Sequence, residues 1–131
     1  MPQNCCNPHA VSRAARKKIL FVDPHVVTRE SRPLLLSESG YAVDWARSVA
    51  EARSRWTPDA YNLVLIDVND DAYTGVLLCQ EMKERHPQQV VGFITEDGFR
   101  LPPRFVPNGL ISRSESPGNF LTAVKVLLAE L

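Results

Sequence analysis

The chain has 131 residues, 44% of them hydrophobic and 23% charged, and fifteen Lys and Arg balance fifteen Asp and Glu to a formal net charge of zero. That length serves one hydrophobic core of ordinary domain size, about 100–150 residues, and excludes a large multidomain enzyme. The composition excludes global disorder, and the missing positive field argues against a nucleic-acid partner.

Residues 1–17 read as a flexible N-terminal tail without apolar periodicity, ahead of a folded domain over residues 18–131. Cys5, Cys6 and His9 form half of a metal site with no second pair, and Arg13, Arg16, Lys17 and Lys18 read as the solvated flank of a first strand. The start lacks the apolar segment of a secretory signal, and no apolar run approaches the roughly 20 residues that cross a bilayer. With Cys79 the cysteines make a poor disulfide framework, so the expectation is a cytoplasmic protein with no membrane partner.

Ile19 to Val22 is an apolar run of strand length that stops at Asp23 and Pro24. A helical stretch follows to Ser39, closed by Gly40, with Pro33 predicting a kink or a late start. Tyr41 to Ala46 reads as a second strand. Ser48 and Glu51 have the spacing of a capping box for a helix ending before Pro58. Leu63 to Ile66, apolar on both faces, predicts a central parallel strand ending at Asp67. Gly75 precedes a helix carrying Leu78 and Met82, which Pro87 closes, and Val90 to Thr95 is the fourth strand.

Leu110 to Ser112 reads as a short fifth strand, and Ser116 with Pro117 opens a last helix whose Phe120, Leu121, Val124, Leu128 and Leu131 share one face. Five strands alternating with helices predict a three-layer α/β domain around a parallel sheet. His25 reads as a loop histidine, His86 and Cys79 as helix positions, and Trp45 and Trp56 as packing residues. In an open parallel sheet the working site lies outside the carboxyl ends of the strands, which directs attention to Asp23, Asp67, Thr95 and Arg113. Two carboxylates, a hydroxyl and a cation in one crevice could hold a phosphoryl group.

Across roughly residues 18–131 the sequence resembles the receiver domain of bacterial two-component response regulators. The resemblance is carried by ILFVD, by GYAVDWARSVAEA, by YNLVLIDV with Gly75 eight residues after Asp67, and by VVGFIT. It implies a flavodoxin-like fold with a five-stranded parallel sheet in the order 2-1-3-4-5. It also implies that Asp67 accepts a phosphoryl group from a sensor histidine kinase, that Asp23, Asp67 and Asn69 hold Mg²⁺, and that Thr95 and Arg113 support the phosphate.

The departures from the family pattern matter equally. Pro24 stands where the family has its second acid and offers no side-chain oxygen to a hard cation, so Mg²⁺ binding is expected to be weakened, with Asp70, Asp71 or Glu96 as replacement carboxylates. Arg113 replaces the family lysine and can clamp Asp67 in a bidentate pair without phosphate. Leu110 stands where an aromatic reporter is common. Thirteen residues separate Thr95 from Gly109, with Pro102, Pro103 and Pro107 among them, which predicts that the fourth helix is shortened or lost.

The function expected from these features is non-enzymatic: a stand-alone atypical receiver that acts by protein–protein interaction, with phosphorylation of Asp67 weak or absent. Its partners are a sensor histidine kinase or other signalling protein, and a second copy of the chain. The alternatives are a conventional Mg²⁺-dependent receiver phosphorylated on Asp67, and a small phosphoester hydrolase with Asp67 as nucleophile. The hydrolase lacks support from a glycine-rich phosphate cradle or a nucleophile elbow.

Overall fold

A computed structural model describes residues 16–23, 31–68, 72–98, 100 and 107–130. Its strands are β1 (Lys18–Val22), β2 (Ala42–Ala46), β3 (Leu63–Asp67), β4 (Val91–Thr95) and β5 (Gly109–Ser112). They form one parallel sheet in the order β2-β1-β3-β4-β5, the order the family resemblance implied. Four helices occur among the described residues: α1 (Ser31–Glu38), α2 (Val49–Arg55), α3 (Ala72–Arg85) and α4 (Pro117–Leu127). None of these four lies between β4 and β5, where residues 99 and 101–106 are outside the described residues. Residues 1–15 of the tail with Cys5, Cys6 and His9, and also Pro24, His25, Asn69 to Asp71, Pro102, Pro103 and Leu131, lie outside the described residues.

The period-2 alternation of the strands divides the core into two halves. Ile19 and Phe21 of β1 join Leu63, Leu65, Ile94 and Ile111 beneath α1 and α4, where Leu36, Phe120 and Val124 cover them. Leu20 and Val22 face the other way with Val64, Ile66 and Phe93, beneath Ala52 of α2 and Val76, Leu78, Cys79 and Met82 of α3. Both faces of β3 and β4 are therefore buried, the reason their sequences are continuous apolar runs.

Local chemistry sets the ends of the elements. Pro33 lies within α1, which is described from Ser31 onward; residues 24–30, on which the choice between a kink and a late start rests, lie outside the described residues. Gly40, at φ +102°, takes the left-handed conformation that lets the Tyr41 N–H reach the Leu36 carbonyl at 3.2 Å. Tyr41 thereby closes the helix and stays out of β2. Ser48 Oγ accepts from the Glu51 N–H at 2.9 Å, while the Glu51 carboxylate reaches back to the Arg47 N–H at 2.8 Å. The predicted box is thus present with its return bond moved one residue outward. Ser116 caps α4 by accepting from the Asn119 N–H at 3.2 Å, with Pro117 as the first helical residue.

Two expectations shift. Gly75 sits inside α3 rather than ahead of it, because a side chain there would meet Ile66 Cγ2 at 3.2 Å and Val68 Cγ2 at 3.5 Å. The glycine sets how closely the helix approaches β3. His86 lies just beyond α3, its N–H donating to the Met82 carbonyl at 2.8 Å and its Nε2 standing 3.3 Å from Asp59. The tryptophans pack as predicted: Trp56 is buried, and half-buried Trp45 lies against the α1/α4 core under the Arg47 guanidinium, 4.3 Å from the ring centre.

Candidate functional site

Parallel strands deliver their carboxyl ends to one edge of the sheet. Val22 pairs with Ile66, so the next residues, Asp23 and Asp67, arrive side by side on strands about 4.8 Å apart. Asp67 pairs with Ile94, so Thr95 comes one step further along the same rim, and because Thr95 pairs with Ser112, Arg113 comes one step beyond that. Backbone bonds hold the register: Asp23 N–H to the Ala46 carbonyl at 3.0 Å, Val68 N–H to Ile94 at 2.9 Å, and Arg113 N–H to Thr95 at 2.7 Å.

Asp23, Asp67 and Thr95 are exposed by only 1%, 6% and 5%, and with Gln89 they are the buried polar residues among those described. Gln89 has a structural purpose at the opposite end of β4. Its Oε1 accepts from Trp56 Nε1 at 2.7 Å, and its amide donates to the carbonyls of Val90 and Tyr61. The remaining three cluster at the carboxyl rim, where burying two neighbouring carboxylates is costly unless cations compensate.

Two arginines supply that compensation. Arg113 Nη2 donates to Asp67 Oδ1 at 2.5 Å and to the Val68 carbonyl at 3.0 Å. The expected two-nitrogen fork on Asp67 is absent: one nitrogen bridges the carboxylate and a main-chain carbonyl, and Nη1 points to Glu96 at 3.9 Å. The second cation is Arg32, which sequence reasoning did not single out. Its Nη1 stands 3.7 Å from Asp67 Oδ2, and its Nη2 donates to the Arg113 carbonyl at 2.7 Å. Its sequence signal was slight: a basic residue nine positions after Asp23, in the stretch read as helical.

Burial is the largest influence on Asp67 and raises its pKa above the usual carboxylate value. The hydrogen bond and charge of Arg113 pull it down, the Asp23 carboxylate pushes it up, and Arg32 pulls it down more weakly, with the balance remaining upward. A cleft of about 340 Å³ lined by Glu96, Asp97, Arg113 and Ser114 opens beside the pocket. In it, Ser112 Oγ donates to Asp97 Oδ1 at 2.6 Å.

Receivers typically hold Mg²⁺ at this acidic rim, a hard cation that requires an octahedral set of oxygens. The side chains described here do not fit one. Asp67 presents one oxygen to Arg113 and the other to Arg32, and exposed Glu96 faces a guanidinium. No group of three or more His, Cys, Asp or Glu among the described residues is arranged to hold a metal ion.

Residues 19–100 match the family model described as the response regulator receiver domain. The chain is similar to the response regulator protein PilR of Pseudomonas aeruginosa, at 33% identity over 84 residues, covering 64% of this chain but only 19% of PilR. Among solved structures it resembles the non-phosphorylated HemR receiver domain of Leptospira biflexa, with TM-score 0.77 and 19% identity over 87% of this chain and 95% of that one. A CheY-like receiver domain protein of Methanospirillum hungatei gives TM-score 0.75 and 22% identity over 88% of this chain and 96% of that one. At those identities the structural likeness concerns the fold, which agrees with the topology derived above. Fold, strand-end carboxylates and family match converge on one conclusion: the chain belongs to the response regulator receiver domain family.

Proposed function

We propose that this receiver acts by binding a protein partner of two-component signalling, a sensor histidine kinase or another signalling protein, with phosphoryl transfer to Asp67 weak or lost. The observation that carries this reading is the Arg113 guanidinium on Asp67 Oδ1. Attack on phosphorus needs a carboxylate oxygen with an available lone pair and a cation that neutralises the incoming phosphoryl oxygens. Here the carboxylate is already engaged by two guanidinium groups, one on each oxygen. Thr95 and Arg113 are the phosphate-supporting groups if transfer occurs. Receiver domains are in general signalling modules rather than enzymes.

No described helix is long and apolar enough to cross a membrane. The assignment of this module to the cytoplasm, and the second copy of the chain as a further partner, belong to the same proposal. Its test is incubation with acetyl phosphate and Mg²⁺ followed by intact-mass analysis. No phosphoryl adduct is expected on the wild type, with binding of a cognate partner unchanged in Asp67→Asn. A stable adduct that disappears in Asp67→Asn would instead establish a conventional phosphoacceptor.

A further inference from the structure

We propose that the guanidinium of Arg32 is the resident cation of this pocket, performing the charge neutralisation that a divalent ion performs in other receivers, so that the acidic rim is metal-independent. This goes beyond the reading of Asp67 as a weak phosphoacceptor and does not depend on it, because it concerns the charge state of the rim rather than transfer.

Two carboxylates, Asp23 and Asp67, are buried side by side at the ends of β1 and β3. Arg113 engages Asp67 Oδ1, which leaves the Oδ2 side, and it is there that Arg32 Nη1 stands at 3.7 Å. Arg32 is held in place by its second nitrogen, which donates to the Arg113 carbonyl at 2.7 Å. Its side chain is only 22% exposed, so it is a seated group rather than a surface arginine. Among the described residues, both oxygens of Asp67 thus face a guanidinium, the charge that a divalent ion would otherwise supply there. Pro24 stands in the sequence where the family resemblance puts the direct acidic ligand and has no side-chain oxygen to offer an ion, while the α1 guanidinium supplies positive charge at Asp67 in the ion's place. A guanidinium cannot be deprotonated in a protein, so this neutralisation is permanent, whereas a bound metal is lost and regained with its concentration.

A unit positive charge roughly 5 Å from a divalent ion repels it enough, even in water, to weaken binding about tenfold. The experiment is a Mn²⁺ titration of the full chain followed by electron paramagnetic resonance, with thermal shift as a second readout, on wild type, Pro24→Asp, Arg32→Gln, Pro24→Asp/Arg32→Gln and Pro24→Asp/Arg32→Lys. Pro24→Asp restores the missing ligand while Arg32 remains. The expected result is that wild type and Pro24→Asp bind Mn²⁺ weakly, and Pro24→Asp/Arg32→Gln binds at least about tenfold more tightly. The Arg32→Lys version should stay weak, because charge rather than shape decides. Equal affinity of Pro24→Asp with and without Arg32, or tight binding by wild type, would overturn the inference. Acetyl phosphate labelling reports separately on the proposed function: Asp67 labelled without metal contradicts that reading and leaves this one standing.

Discussion

Replacing Arg113 by Ala removes the nearest cation from a carboxylate whose side chain is 4% exposed. Breaking a buried ion pair typically costs about 3–5 kcal/mol, and a surface pair is worth about 0–1 kcal/mol. The Asp67–Arg113 pair lies between, because the guanidinium is 25% exposed and water can enter the space it vacates. Arg32 also remains 3.7 Å from Asp67 Oδ2 to soften the loss. The expected cost is therefore about 2 kcal/mol, part of it the hydrogen bond from Arg113 to the Val68 carbonyl. For a domain of this size that lowers Tm by roughly 6–8 °C. In an Asp67→Asn background the same replacement should cost less than about 1 kcal/mol, because no buried charge is left behind. Urea denaturation of the four proteins of this double-mutant cycle gives the coupling energy directly. Equal cost in both backgrounds, or a loss within 0.5 kcal/mol of zero, contrary to the range for buried pairs, would refute the claim that Arg113 compensates a buried Asp67.

Burial raises the Asp67 pKa above its ordinary value of 3.8, so the folded chain holds that proton more tightly than the unfolded chain. The resulting stabilisation is complete below the unfolded pKa and lost as pH rises through the folded one; Asp67→Asn should accordingly exceed wild type in stability at neutral pH, with the gap closing toward pH 4 in thermal melts, and a gap constant with pH would contradict this. Leu127 lies across two glycines, with a side chain at Gly92 meeting its Cδ1 at 2.8 Å and Leu65 Cδ2 at 3.1 Å. Gly92→Ala should cost about 1–3 kcal/mol by overpacking and combine with Leu127→Ala at less than the sum of the two losses, as measured by chemical denaturation. Ala129 ends α4 at φ +60°, its helix closed by the Glu130 N–H on the Lys125 carbonyl at 2.7 Å. Ala129→Gly should raise stability by about 1 kcal/mol, since glycine takes that conformation without steric cost, and a destabilised variant would show the strain assignment to be wrong.

Gln89→Leu leaves the indole N–H of buried Trp56 without the acceptor it has at 2.7 Å. Its expected cost is about 1–3 kcal/mol, read in the same denaturation assay, and a neutral result would mean that water reaches the indole.

The sequence alone determined the features that depend on short-range patterns. The apolar runs at Ile19, Leu63 and Val91, the Ser48 and Ser116 caps and the Gly40 stop each involve residues a few positions apart, where period and capping chemistry act directly. The meeting of Asp23, Asp67 and Thr95 at one rim was legible for the same reason: a parallel sheet brings strand ends together once the strands are found. Gly75 was read as a boundary because a glycine's packing role depends on Ile66 across a helix–sheet gap, which no local window contains. The charge balance of the pocket was decided only by tertiary structure. Arg32 and the Arg113 carbonyl that holds it are 81 positions apart, and Arg113 and Asp67 are 46 apart. Whether an arginine turns outward to water or inward to a buried carboxylate depends on the desolvation around that carboxylate, a property that arises only when the sheet and its covering helices have assembled.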